Sequence, residues 1–274
     1  MAILRLFHTL TELTSHKWSS KLIGSFTKTR ASRWLLPLYS RAYGIRIEDA
    51  EKPLKAYQSL NEFFIRRLKD GLRPINQNSA ALVSPVDATV TGIGRIDDKK
   101  TIHVKGQNYT TDELLGSGST FNRFHEGFFI VLYLSPSDYH RVHSPVTGTI
   151  LAKIHLLGRT YPVNEFGLKQ MSKVLSRNER MITYMGHLYG ILSLVKVGAM
   201  NVSSIKYTNS LVTHLNKGDE LAYFEFGSTV VLLVENGAFE FLQELCVGTQ
   251  VRVGEPLGYW RAGFQNGQKT DAGN

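Results

Sequence analysis

A chain of 274 residues that is 42% hydrophobic can bury a sizeable core, which excludes disorder and fits one large domain or one domain with an appendage. The formal net charge of +9 suits a polyanionic partner, either nucleic acid or an acidic lipid surface. The single cysteine, Cys246, excludes an internal disulfide and is expected to pack as a small apolar side chain.

The charge is concentrated at the start. Between residues 1 and 46 eight basic residues stand against one acid, Glu12. In the same stretch Ile3, Phe7, Leu10, Trp18, Leu22 and Phe26 recur near helical spacing, with Lys17, Lys21 and Lys28 between them. This pattern predicts an amphipathic helical segment with two uses, one face packed on its own domain and another entering an anionic membrane interface. So apolar a basic segment argues against a nucleic-acid arm. No run approaches the 18 apolar residues of a spanning helix, and no apolar stretch precedes a small-residue cleavage site. The expected location is therefore peripheral, on the cytoplasmic side of the cell membrane.

Pro37 interrupts any long helix through 34–39. A helix is predicted over 59–69, with Leu60, Phe63, Phe64 and Leu68 on one side and Arg66 and Arg67 opposite. After Pro74 the texture becomes β-branched and aromatic with glycine punctuation, and strands are predicted at 88–93, 127–134, 147–157, 191–197, 220–226 and 229–234. The reading is an α+β protein, with a helical, membrane-associating region over 1–75 and a β-rich domain over 76–274. Ser84-Pro85-Val86-Asp87 and Ser144-Pro145-Val146-Thr147 open two of these segments alike, in the manner of biotinyl and lipoyl carrier domains. The echo predicts sandwich-like, interlocked β-halves. Beyond Tyr259 the tail is polar and glycine-rich and is expected to fray.

Four short pieces could carry chemistry. They are Asp87 in the first Ser-Pro-Val turn, Tyr139-His140-Arg141-Val142-His143, Gly158-Arg159-Thr160-Tyr161-Pro162-Val163-Asn164, and Phe226-Gly227-Ser228-Thr229. Singly each has an ordinary explanation: an aspartate before a strand caps a turn, and Gly-Ser-Thr is common at β-turns. A zinc site built from His140, His143 and Asp87 would need a third histidine in a recognisable pattern, so no metal is expected. A carrier module would need a modifiable lysine at a hairpin tip, and none stands between these segments.

Together and in this order, the four pieces resemble the phosphatidylserine decarboxylases. Leu60-Asn61-Glu62-Phe63-Phe64-Ile65-Arg66-Arg67, Ser176-Arg177-Asn178-Glu179-Arg180 and Val197-Gly198-Ala199-Met200-Asn201-Val202 extend the resemblance over nearly the whole chain. The resemblance implies a proenzyme that cuts itself between Gly227 and Ser228 into a fragment of residues 1–227 and one of 228–274, held together as a heterodimer that could pair again into a dimer of heterodimers. Ser228 Oγ would attack the carbonyl before it, which Gly227 leaves sterically open. The resemblance assigns the base to His143, oriented by Asp87. The cofactor it implies is pyruvate, a covalent pyruvoyl group made from Ser228 that serves as electron sink for the carbanion left by decarboxylation of phosphatidylserine in an anionic membrane. His140 would then act on the substrate carboxylate. Pro162 replaces a serine that some members carry and cannot donate a proton, which leaves Tyr161, His140 or water for reprotonation. Asn178, Glu179 and Arg180 could hold the phosphate or a loop.

Overall fold

The computed structural model describes residues 24–118, 121, 123–163, 171–199, 205–225 and 228–261. The amphipathic positions from Ile3 to Leu22, the polar tail after Arg261 and Gly227 itself lie outside these residues.

The amino-terminal part is a set of short turns. A 3-10 helix over Arg30–Leu35 runs into α1 (Leu36–Ala42), with Pro37 in its first turn, where a missing N–H costs nothing. The predicted helix over 59–69 is shorter than expected: α2 spans only Leu60–Phe64. Ser59 caps it by accepting from the Glu62 amide at 3.2 Å. It stops because the next residues pair elsewhere. Glu51 N donates to Arg67 O at 2.9 Å and Lys69 N to Asp49 O at 2.9 Å, so an extended bridge outcompetes another helical turn. Arg66 is therefore not on an exposed helical face, as the periodicity suggests; it is buried with 4% exposure. Leu36, Ile45, Ala50, Tyr57, Leu60 and Phe63 form a small core of their own beneath these turns.

The rest is β-structure: β1 (Ala81–Val83), β2 (Ala88–Arg95), β3 (Thr101–Val104), β4 (Gln107–Thr110), β5 (Phe128–Leu134), β6 (Arg141–His143), β7 (Gly148–Leu156), β8 (Arg180–His187), β9 (Gly190–Gly198), β10 (Ile205–Tyr207), β11 (His214–Leu215), β12 (Glu220–Phe224), β13 (Ser228–Val234), β14 (Phe239–Phe241), β15 (Gln250–Val251) and β16 (Pro256–Trp260). Two short helices, α3 (Thr111–Leu115) and α4 (Val174–Arg177), accompany them. Eight strands form an antiparallel sheet in the order β11-β7-β8-β9-β13-β5-β2-β15, flanked by β10-β12-β6 and β1-β16-β14 and by the β3-β4 hairpin. The six predicted strands are all present.

The large sheet is covered on both faces. On one face Leu132, Leu134, Leu192, Leu194, Val230 and Leu232 pack against Val142, Ala222, Phe224 and Trp260 of the small sheets. On the other, Val131, Val195, Val197, Val231 and Leu233 pack beneath Tyr109, Leu114 and Leu175. This explains why β13, Ser-Thr-Val-Val-Leu-Leu-Val, is buried at every position and shows no alternation.

The two Ser-Pro-Val turns clasp each other: Val83 N donates to Pro145 O at 3.1 Å and His143 N to Pro85 O at 2.8 Å. Each serine hydroxyl donates to the carbonyl two residues on, Ser84 to Val86 and Ser144 to Val146, both at 2.6 Å. Each turn is also closed by a glycine amide, Gly254 to Ser84 O and Gly218 to Ser144 O. Both glycines have positive φ, and a Cβ on either would collide with Ile75. The interlocked halves read from the sequence are this pseudo-symmetric clasp.

Candidate active site

Ser228 opens β13 directly opposite Leu134 of β5 and Gly198 of β9. Strand alternation puts its side chain on the face of Val230 and Leu232, toward β6 and β12. It is fully buried, and its Oγ has no hydrogen-bond partner among the described residues. Gly198 offers no side chain at the neighbouring place on β9. A buried hydroxyl left unpaired at the head of a central strand is a costly arrangement for a residue with only a packing role.

His140 and His143 part company, as strand alternation requires of positions three apart. His140 is fully buried and its ring lies 4.0 Å from the Phe64 ring. Its Nδ1–H donates to Asp138 O at 2.9 Å, which fixes the tautomer and leaves Nε2 as a bare acceptor without a partner among the described residues. Burial pushes its pKa down to about 3, so the ring is neutral at physiological pH. The Phe224 amide donates to the His140 carbonyl at 3.0 Å, so the chain that leads to Ser228 runs alongside this histidine.

His143 faces outward into a small recess of about 210 Å³ shared with Arg73, Tyr139 and Glu220. Its Nδ1–H donates to Gly218 O at 2.7 Å, and its Nε2 accepts from the Tyr139 hydroxyl at 3.1 Å. Burial lowers its pKa, against the opposing effect of the Gly218 carbonyl.

Asp87 does not hydrogen-bond to His143. Its Oδ1 accepts from Arg73 Nε at 2.8 Å and from the Val253 amide at 2.9 Å, and Arg73 Nη2 pairs with Oδ2. Asp87 still acts on His143 through space, since its charge favours the protonated ring. Of the expected Asp-His-Ser row, Asp87 and His143 interact only through space, Gly218 rather than Asp87 orients the imidazole, and neither side chain hydrogen-bonds to Ser228 among the described residues.

Asp87 and Arg73 also line a larger polar cleft of about 450 Å³, with Arg46, Arg66, Asp138, Tyr139 and Arg252 on its walls. Burial raises the pKa of the Asp138 carboxyl, whose Oδ2 accepts from the Ser135 amide at 2.7 Å.

Other sequence candidates lie elsewhere. Tyr161 packs into the cluster on the opposite face of the large sheet from Ser228, with its hydroxyl accepting from Arg177 at 2.7 Å. Thr229 faces that side too, opposite Tyr133 and Val197. Asn178 latches backbone, donating to Tyr161 O and Gly198 O at 2.8 Å each. Arg180 donates to the carbonyls of Leu114, Glu113 and Asn178, and Glu179 pairs with His155 at 2.7 Å. These residues hold loops. Cys246 does not pack in the core; it is exposed in a turn beside Thr249. Among the described residues no group of three His, Cys, Asp or Glu side chains could hold a metal ion, and no helix is long and apolar enough to cross a membrane.

Sequence reasoning missed Arg66, Arg73 and Gly218 as parts of this site.

The arrangement defines a class: an antiparallel β-protein with a buried, unpaired serine heading a central strand, one histidine buried and another in a small recess, and an arginine-rich polar cleft. Comparison with known proteins gives the particular family. The phosphatidylserine decarboxylase family model matches residues 60–259. The chain is 46% identical over 254 residues to the phosphatidylserine decarboxylase proenzyme of Geobacillus sp. (strain WCH70), covering 93% of this chain and 98% of that protein. It is 44% identical over 255 residues to the proenzyme of Geobacillus kaustophilus (strain HTA426), covering 93% and 96%. The match to that of Halalkalibacterium halodurans is 42% over 249 residues, covering 91% and 95%. The chain belongs to the phosphatidylserine decarboxylase family.

Proposed function

We propose that this protein is a carboxy-lyase that converts phosphatidylserine to phosphatidylethanolamine and carbon dioxide, and that it makes its own catalytic group by breaking the chain between Gly227 and Ser228. The observation that carries this reading is the buried, unpaired Ser228 Oγ at the head of β13. Such a hydroxyl is shielded from water and is free to attack the carbonyl that precedes it.

The residues present fit a pyruvoyl group at this position. Ser228 is the source of its atoms, and the enclosing β5 and β9 would keep the new terminus in place. When formed, the group supplies a ketone that can take up the electrons left by loss of carbon dioxide. The base for self-cleavage is His143 Nε2, with Tyr139 as its hydrogen-bonded neighbour and Asp87 favouring its protonated form. Toward substrate, His140 has a role different from carboxylate binding. As a neutral ring with a bare Nε2 it accepts a hydrogen bond, so it suits the ammonium of the serine head group. With Tyr161 on the far face of the sheet, reprotonation falls to His140 or to water.

Membrane contact is assigned to the amino-terminal turns. Phe26, Trp34, Leu38 and Tyr43 are exposed there, Trp34 by 69%, among Arg30, Arg33 and Arg41. This fits a peripheral protein on an anionic leaflet.

Intact mass tests the reading. Wild-type protein should resolve into two fragments split before residue 228, the smaller lacking a free amino terminus, while Ser228→Ala stays whole and inactive. Folded wild type that remains one polypeptide with an ordinary serine at 228 overturns it.

A further inference from the structure

The guanidinium of Arg66 is buried among groups that use only part of it. Nη2 donates to Ser137 O at 2.8 Å and to Asp138 O at 3.3 Å, and the group sits 5.2 Å over the Phe63 ring. Nε and Nη1 are buried with no partner among the described residues, although native folds pair roughly nine in ten or more of such groups. Two other arginines on the cleft that Arg66 lines make direct ion pairs, Arg46 with Glu48 and Asp49 and Arg73 with Asp87, whereas the Asp87 and Asp138 carboxylates act on Arg66 only through space. The Asp138 carbonyl that accepts from Arg66 is the same one that accepts from His140 Nδ1–H. One backbone oxygen therefore holds both the Arg66 guanidinium, through Nη2, and the His140 ring, through Nδ1.

We propose that Arg66 is the residue that binds the phosphodiester of the substrate head group, through its unpaired N–H groups at Nε and Nη1, and so positions the serine moiety against His140. The inference rests on the decarboxylase reading above.

The choice of phosphate over carboxylate follows from the chemistry. The substrate carboxylate loses its charge as the carbon–carbon bond breaks, so a guanidinium on it would stabilise the ground state more than the transition state. The phosphodiester keeps its charge from start to finish. A cation on that group strengthens binding of substrate and transition state alike, and its loss raises KM while leaving kcat nearly untouched. The planar, permanently charged guanidinium suits phosphate oxygens, and a dry setting strengthens each contact.

The test uses the self-processed full chain, with Arg66→Gln and Arg66→Lys alongside wild type and complete cleavage in each verified by mass. Each protein is titrated calorimetrically with glycerophosphoethanolamine, with inorganic phosphate and with O-methylserine, which has no phosphate. Wild type should bind the phosphodiester, and both variants should bind it at least about tenfold more weakly, as expected for loss of charged hydrogen bonds. O-methylserine should bind all three alike, and KM for phosphatidylserine in mixed vesicles should rise with little change in kcat. Unchanged phosphodiester affinity in Arg66→Lys, or an equal loss for O-methylserine, overturns the proposal. Inorganic phosphate binding as tightly as the phosphodiester makes this a free-anion site and overturns it too. Failure of the decarboxylase reading is separately visible, as wild-type protein that neither cuts nor releases carbon dioxide.

Discussion

Asp87 Oδ1 accepts the Val253 amide at 2.9 Å just as Thr147 Oγ1 accepts the Lys217 amide at 3.0 Å, each side chain closing its own Ser-Pro-Val turn. The two residues are equivalent in the pseudo-symmetric clasp. What distinguishes Asp87 is its charge, which Arg73 answers from the segment joining the helical part to the β-domain. Asp87→Asn should keep the cap and lose the ion pair, whereas Asp87→Ala should lose both. Removing one member of a mostly buried pair costs on the order of 3 kcal/mol. Urea denaturation should show Asp87→Ala as the less stable variant. A time course of intact mass should show both cutting more slowly than wild type, since both remove the charge that favours protonated His143.

Gly218 links the second turn to that histidine. Its φ is +89°, a Cβ there would meet Ile75 at 2.6 Å, and its carbonyl holds His143 Nδ1. Gly218→Ala should therefore slow self-cleavage without touching the cleavage site itself. Processing at the wild-type rate would mean that the carbonyl does not set the imidazole.

Acid should weaken the fold through His140. Its pKa is about 3 in the folded protein against 6.5 for the free side chain, so between these values the unfolded chain binds more protons and stability falls as pH falls. The slope from this one group approaches about 1.4 kcal/mol per pH unit inside that window. Denaturation midpoints measured from pH 7 to pH 4 should decline less steeply in His140→Phe than in wild type.

Lys196 should act in the opposite range. It is fully buried on β9, donating to Thr183 Oγ1 at 2.7 Å and lying 5.1 Å from the Tyr207 ring centroid, and burial brings its pKa down to about 7. The unfolded chain holds that proton up to about pH 10.5, so stability should climb as pH rises from 7 toward 10. Lys196→Met, which keeps an unbranched stem and removes the ionisable group, should be more stable than wild type at pH 7 and should lose that climb. Chemical denaturation at pH 7 and pH 9.5 measures both effects.

Exposed aromatic and basic residues of the amino-terminal turns make separable predictions for vesicles. Trp34→Ser with Leu38→Ser should weaken binding to anionic vesicles at every salt concentration. Arg30→Gln with Arg33→Gln should weaken it mainly at low salt, where surface charge is least screened. Co-sedimentation across a salt series distinguishes the two, and the mass spectrum should show normal cutting in both double variants.

Much of this molecule is legible in its residues, and the reasons are physical. β13 and β9 announce themselves because β-branched runs have few alternatives, and the clasp announces itself because the same Ser-Pro-Val chemistry closes both turns. Local pattern failed where distant pairing decides. Nothing near residue 65 shows that Asp49 and Glu51 will draw the chain out of its helix, and with that went the burial of Arg66. The triad was legible as residue types but not as bonds, because the partner of His143 Nδ1 is a backbone carbonyl 75 residues away, and no side-chain motif can signal it.

The strand order has a consequence for how the protein must be made. Three strands after Gly227 are woven into what precedes it: β13 lies between β9 and β5, β15 extends β2, and β16 pairs with β1 and carries β14 on its other edge. An enzyme cut before residue 228 would remain one body, with its severed piece sewn into the middle of the fabric. The same weave means that scission has to come after assembly, and that the two pieces expressed from separate genes would have to insert a central strand into a gap already closed by its neighbours.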